Sequence, residues 1–319
     1  MTNIVHNHLK TGNKLKRNIK KEWLSNRYLY FMSAPAVAAL VIFSYLPMFG
    51  LIMAFQDYSP QKGIQGSPFV ALKNFEFLFA TTDAWRITRN TVLYNTIFIV
   101  LNLVFAVALA IVISQINNRF LAKVLQTIYI MPYFLSMAIV AIIVFSVLSA
   151  RSGFLNIIMK NFGMETRNWY MVKEPWPYIL ILVNVWKGVG YSAVVYLASI
   201  AGISNEYYEA AMLDGASKPQ QVKYITIPHL KPMISILLIM SIGSIFRGDF
   251  GLFYLVPQNS GPLYAVTDVI DTYIYRAMTT LNNNGMATAA GLYQSIVCLI
   301  LVLVANKIVA RIEPDNAMF

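Results

Sequence analysis

Apolar residues gather into six runs, at about 28–55, 92–116, 124–149, 178–200, 233–256 and 286–310. Each is long enough to cross a bilayer, which takes about 20 helical residues. The pattern predicts an all-α, polytopic membrane protein: six transmembrane helices in one domain over 28–312, with tails at 1–27 and 313–319. The polar segment 56–91 holds turn chemistry in Ser59-Pro60, Lys62-Gly63 and Gly66-Ser67-Pro68, then an amphipathic piece from Leu72 to Ala80. The segment 150–177 ends in Trp169, Tyr170 and Trp176. Such aromatic segments suit either the membrane interface or a docking surface for an extracytoplasmic partner. Spans one to three show no repeat of spans four to six.

One polar stretch, 204–232, is punctuated in a way that predicts a bent helix pair. Ser204 is a good N-cap and Glu206 suits the positive end of a first turn. A short helix through about Leu213 is expected to stop at Gly215, which tolerates a left-handed backbone. Ser217 to Gln220 fits a capping box that opens a second helix, and Pro228 and Pro232 mark its end. Small residues at the corner (Ala210, Ala211, Gly215, Ala216) would let another surface approach closely.

Composition agrees with a membrane protein: 57% of residues are hydrophobic and 12% charged, too apolar for a soluble chain of this size. The net charge of +11 is concentrated at the N-terminus, where Lys10, Lys14, Lys16, Arg17, Lys20, Lys21 and Arg27 face only Glu22. That is a cytoplasmic retention signal rather than a nucleic-acid arm. Lys and Arg are also more numerous on the side of the two tails and the elbow than on the opposite side, so both termini and the elbow are expected in the cytoplasm. The single cysteine, Cys298, sits in the last run and allows no intrachain disulfide.

Polar groups inside the spans are the candidate pathway residues. A charge at the centre of a span costs about 2.5–3.5 kcal/mol on insertion scales, so Lys187, beside Asn184, Trp186 and Tyr191, is either a pathway residue or one that snorkels to the headgroups. The fifth run is interrupted by Arg247-Gly248-Asp249, which reads as a gate or as the external end of a short span. Asn95, Asn102, Tyr293 and Gln294 are either interhelical hydrogen-bonding groups or, for a sugar cargo, hydroxyl binders beside aromatic faces such as Phe253 and Tyr254.

The elbow pattern, Glu209-Ala210-Ala211, Gly215, Ile225 and Ile227-Pro228, resembles the EAA loop of binding-protein-dependent ABC importer permeases, which usually carry Leu where this chain has Ile227. FEFLFATTDAWRITRNT near 75–91, MPYFLS at 131–136 and FGLFYLVPQNSGPLYAVTDVIDTYIYRAM at 250–278 resemble the LplB-type branch, permeases for complex carbohydrates. The resemblance implies a type I importer permease in the bacterial cytoplasmic membrane, handling oligosaccharides. It also implies a second homologous permease, two cytoplasmic ATPase subunits and an extracytoplasmic solute-binding protein as partners. Glu209 and Asp214 become candidates for salt bridges to the ATPase, and Ala210, Ala211, Gly215, Ile225 and Pro228 complete the docking loop.

No Walker-type phosphate loop occurs, so ATP and Mg are expected on the partner ATPase, with no cofactor or metal in this chain. Outside the fifth span no run contains an acid, which argues against a proton relay. No catalytic constellation is found, and the chain is not expected to be an enzyme. The rival reading is a secondary transporter or channel subunit in which the elbow is an ordinary loop.

Overall fold

In the computed structural model the described residues are 26–312. Among them the chain is helical, with one isolated bridge between Gln56 and Phe69 and no strand. The greater part of the basic tail (residues 1–25) and the tail 313–319 lie outside the described residues. The described residues fall into two compact units, divided between Ile52 and Met53. One apolar helix of 29 residues, α1 (Arg27–Leu40) continued by a π turn, Val41–Tyr45, and a 3-10 stretch, Leu46–Phe55, makes up the described part of the first unit, its last three residues belonging to the second.

The second unit contains α2 (Thr82–Ser114), α3 (Arg119–Ile130), α4 (Met137–Leu148), α5 (Phe154–Asn161), α6 (Trp176–Ala201), α7 (Asn205–Leu213), α8 (Lys218–Gln221), α9 (Ile227–Gly243), α10 (Ile270–Thr279) and α11 (Asn284–Ile312). Five helices among the described residues are long and apolar enough to cross a membrane, and the bent pair α3–α4 makes a sixth.

Local sequence explains most boundaries and corrects some expectations. Residues 82–91 were expected in a loop, but α2 begins at Thr82. The Thr81 hydroxyl accepts from Ala84 N at 3.2 Å, Asp83 lies in the first turn, and Ala84, Ile87, Asn90 and Thr91 are buried on one face. The third run was expected to be one span over 124–149. Instead it bends by 97° between Phe134 and Met137, where Pro132 sits in a 3-10 turn and Ser136 caps the new helix. The carbonyls freed at that bend do not remain unpaired: Lys187 Nζ on α6 donates to Tyr133 O and Leu135 O, both at 2.8 Å.

The elbow prolines were expected to end its second helix, yet Lys218–Gly243 is continuous over 26 residues. A π turn at Val222–Thr226 precedes Pro228 and carries the strain. The proline ring would press on the carbonyl four residues back, and widening the turn by one residue moves that carbonyl aside. The same device recurs: π turns at Val41–Tyr45 and Gly251–Leu255 each end two residues before a proline, Pro47 and Pro257.

The core follows α2 and α6. At one level Tyr94 and Phe98 of α2 meet Leu180 and Val183 of α6, Val140 and Leu148 of α4, and Phe253. At the other, Ala106 and Ala110 of α2 pack on Ala193, Tyr196 and Ile200 of α6 and on Leu230 of α9. Small residues there permit close helix approach, the usual means of association where lipid removes the hydrophobic drive.

Candidate functional site

Two regions carry candidate chemistry: the elbow and a cavity between α2, α6 and the end of α9. In the elbow, Ser204 Oγ accepts from Glu206 N at 3.3 Å. Gly215 has φ +78°; its N–H bonds Met212 O and the N–H of Ala216 bonds Ala211 O, so a Schellman motif closes α7. Gln220 Oε1 accepts from Ser217 N at 2.7 Å, completing the capping box of α8. Tyr208 Oη lies 3.0 Å from Thr226 Oγ1 and fastens α7 to the π turn. The corner itself is open: Glu209, Ala210, Asp214, Gly215 and Pro228 are exposed, Ala211 and Ile225 half-buried, and a Cβ on Gly215 would meet nothing within 4 Å. Leu213 is 90% exposed and Tyr224 66%, an apolar cost that solvent alone does not repay.

The cavity encloses about 350 Å³. Its wall presents three amides (Asn95, Asn102, Asn184), three serines (Ser192, Ser241, Ser244), the phenol rings of Tyr133, Tyr191 and Tyr196, and Arg247. Arg247 is the single cation among the lining residues, and no carboxylate joins it. Asn102 Nδ2 donates to Asn184 Oδ1 at 2.9 Å, while Asn102 Oδ1 is buried without a partner. Tyr191 stacks on Tyr133 at 4.4 Å between centroids, so each ring covers one face of the other. The helix that leaves the elbow ends on this wall, contributing Leu237, Leu238 and Ser241 before its last residue, Gly243.

Of the pathway candidates read from sequence, the structure brings Asn95, Asn102, Asn184, Tyr191 and Arg247 to the cavity and places Trp186, Lys187, Asp249, Phe253, Tyr254 and Gln294 elsewhere. Trp186 is 43% exposed on another face of α6. Lys187 is occupied at the α3–α4 bend. Asp249 Oδ1 accepts from Leu252 N at 3.0 Å and caps the following turn. Phe253 is core, edge-on to Tyr94, and Tyr254 stacks on Phe250. Gln294 is buried against the unwound segment after α9, donating to Phe246 O and to Asp271 Oδ2.

Sequence reasoning missed the buried ion knot at Asp268, whose side chain is fully enclosed. It accepts from Arg276 at 2.5 Å, Arg86 at 3.3 Å and Thr272 Oγ1 at 2.7 Å. Asn90 Nδ2 bonds the Asp268 carbonyl at 3.0 Å, so the knot ties α2 to the segment before α10. The signal was present: in a chain with only 14 acids, two of them stand three residues apart, at 268 and 271, with Arg276 close behind. Asp271 is a second such group. Burial pushes its carboxyl above the ordinary carboxylate range, against hydrogen bonds from Gly248 and Gln294 that favour the charge.

Comparison with known proteins gives concordant results. Residues 103–314 match the family described as the binding-protein-dependent transport system inner membrane component. The polygalacturonan/rhamnogalacturonan transport system permease protein YteP of Bacillus subtilis (strain 168) is 32% identical over 293 residues, 92% of this chain and 91% of that one. Protein LplB of the same organism is 29% identical over 291 residues, 91% of each. A chain in the crystal structure of a bacterial ABC transporter involved in the import of the acidic polysaccharide alginate superposes with a TM-score of 0.84 at 32% identity, covering 93% of this chain and 99% of that one. The chain belongs to the inner-membrane components of binding-protein-dependent transport systems, as a multi-pass permease rather than an enzyme.

Proposed function

We propose that this chain is the permease subunit of an ATP-driven importer of oligosaccharides, and that it forms the translocation path with a second, homologous permease. Two cytoplasmic ATPases dock on the elbow, and an extracytoplasmic solute-binding protein delivers the cargo. Both termini and the elbow then lie in the cytoplasm, in keeping with the surplus of Lys and Arg on that side. ATP and Mg belong to the ATPase chains.

The observation that carries this reading is the unbroken helix Lys218–Gly243. It starts at the exposed elbow and ends in the cavity wall, so a push at one end displaces the other. Rigid elements with two packed arrangements are how such pushes become alternating access. The cavity wall suits a polyhydroxylated cargo: amides and serines to bond hydroxyls, and the face of Tyr191 turned away from Tyr133 to stack on a ring. One cation and no carboxylate favour an acidic sugar, as do the polygalacturonan and alginate systems among the relatives.

Co-expression and reconstitution test this. The chain should co-purify with a second permease and an ATPase, and proteoliposomes should take up labelled uronate oligosaccharide only with ATP and the binding protein present. Uptake by this chain alone, driven by an ion gradient, would make it a secondary transporter. Gly215→Asn keeps a residue that accepts positive φ while adding bulk at the open corner. It should leave the chain inserted in the membrane but weaken ATPase docking.

A further inference from the structure

Residues 244–249 have left the helix, yet three successive carbonyls, of Ile245, Phe246 and Arg247, and the N–H of Gly248 are engaged by side chains from three other elements. Asn95 Nδ2 on α2 donates to Ile245 O at 2.8 Å and to Arg247 O at 3.0 Å. Gln294 Nε2 on α11 donates to Phe246 O. Asp271 Oδ2 on α10 accepts from Gly248 N at 2.5 Å and from the same Gln294 amide at 3.0 Å. Buried carbonyls released by the end of a helix must find donors. Here they find them on both sides of Arg247, whose own side chain is exposed to the cavity. The site is also tight: a Cβ on Gly248 would lie 2.8 Å from Val269 Cγ2 and 3.1 Å from Asp271 Oδ2.

We infer that Asp271, acting with Gln294, is a positioning residue for transport: it pins the unwound segment at Gly248 and so fixes where Arg247 stands in the cavity. This rests on the reading of the cavity as the cargo path. Asp271 is not among the residues that line the cavity, and it meets the wall through the segment that carries Arg247. Both donors to Asp271 reach a single oxygen, Oδ2, so an amide oxygen in the same place can serve them. Asp271→Asn is therefore expected to keep the arrangement, and Asp271→Ala to lose it.

A double-mutant cycle in the reconstituted full complex tests the inference, with uptake of a uronate oligosaccharide as the readout. Arg247→Ala and Asp271→Ala should each raise the transport KM roughly tenfold, the size of one hydrogen bond to a charged group. The double variant should be no worse than Arg247→Ala, and Asp271→Asn should stay near wild type. Additive effects, or an Asp271→Asn as impaired as Asp271→Ala, would overturn the positioning role while leaving the cargo path intact. A wild-type KM in Arg247→Ala would instead remove the cavity as cargo path. Should Asp271→Ala fail to assemble, Gln294→Met removes the amide donor with little change of shape, and the same cycle with Arg247→Ala decides the matter by the same criterion.

Discussion

Gly190 is where α6 touches the backbone of α3, and Gly190→Ala should open that contact. A Cβ built there lies 1.8 Å from Tyr129 O and 2.5 Å from Tyr129 C, where real Cβ contacts do not fall below 3.0 Å. The obstacle is main chain and cannot swing aside as a side-chain tip could, so the helices must separate by about 1.2 Å, the difference between 3.0 and 1.8 Å. Overpacking of this kind costs about 1–3 kcal/mol. The same displacement would stretch the Lys187 bonds to Tyr133 O and Leu135 O from 2.8 Å toward 4 Å, beyond hydrogen-bond range. Loss of a bond to a charged group adds about 1.5–3 kcal/mol, for a total of about 2.5–6 kcal/mol. Thermal unfolding of the detergent-purified chain should then fall on the order of 10 °C, taking about 2–4 °C per kcal/mol for a domain of comparable size. Tyr191 would also leave its stack on Tyr133, so tyrosine fluorescence of the cavity wall should change in parallel. An unshifted melting curve for Gly190→Ala would refute the close approach and the support it gives to the bend.

Three further outcomes are expected. Asp268→Asn leaves Arg276 and Arg86 without their shared buried carboxylate and should cost about 3–5 kcal/mol, seen as earlier unfolding and faster proteolysis of the segment 256–279. Lys187→Met removes the donor to two carbonyls at the α3–α4 bend, and leaving the half-buried Leu135 O unpaired should cost about 1–3 kcal/mol, measured by the same melting assay. The third concerns pH. Burial raises the folded-state pKa of Asp271, so its contribution is complete below the ordinary carboxylate value of 3.8 and is lost as pH rises through the folded pKa. Asp271→Asn does not titrate, so its melting temperature relative to wild type should climb as pH is raised from about 4; a difference that is flat with pH would contradict the burial argument.

The parts legible in sequence were those fixed by neighbours along the chain. The stop at Gly215, the Ser204 cap and the Ser217–Gln220 box depend on residues within one turn, and each is found in the structure. The interruption at Arg247-Gly248-Asp249 was legible because no lipid-facing helix carries that triplet. What could not be read depended on distant partners. Lys187 looked like a pathway charge because the carbonyls that satisfy it lie more than fifty residues away in sequence, at a bend masked by uniform hydrophobicity. Phe253 and Tyr254 looked like sugar platforms because aromatic character does not reveal which face is packed; their rings are covered by Tyr94, Phe98, Phe250 and Tyr275. The elbow prolines misled for a different reason. A proline normally ends a helix, and only a widened turn just upstream, here at Val222–Thr226, lets the helix continue into the cavity wall.

Transmission along Lys218–Gly243 is the claim on which the transport account turns, and softening that rod is its most direct test. Ser235 and Ile236 lie in mid-helix and are not among the residues lining the cavity, and replacing both with Gly weakens the helix by about 1 kcal/mol each. ATP hydrolysis and oligosaccharide uptake should be measured together in proteoliposomes holding the full complex and the binding protein. The account predicts that Ser235→Gly/Ile236→Gly keeps hydrolysis and loses most uptake per ATP; uptake per ATP equal to wild type would contradict it.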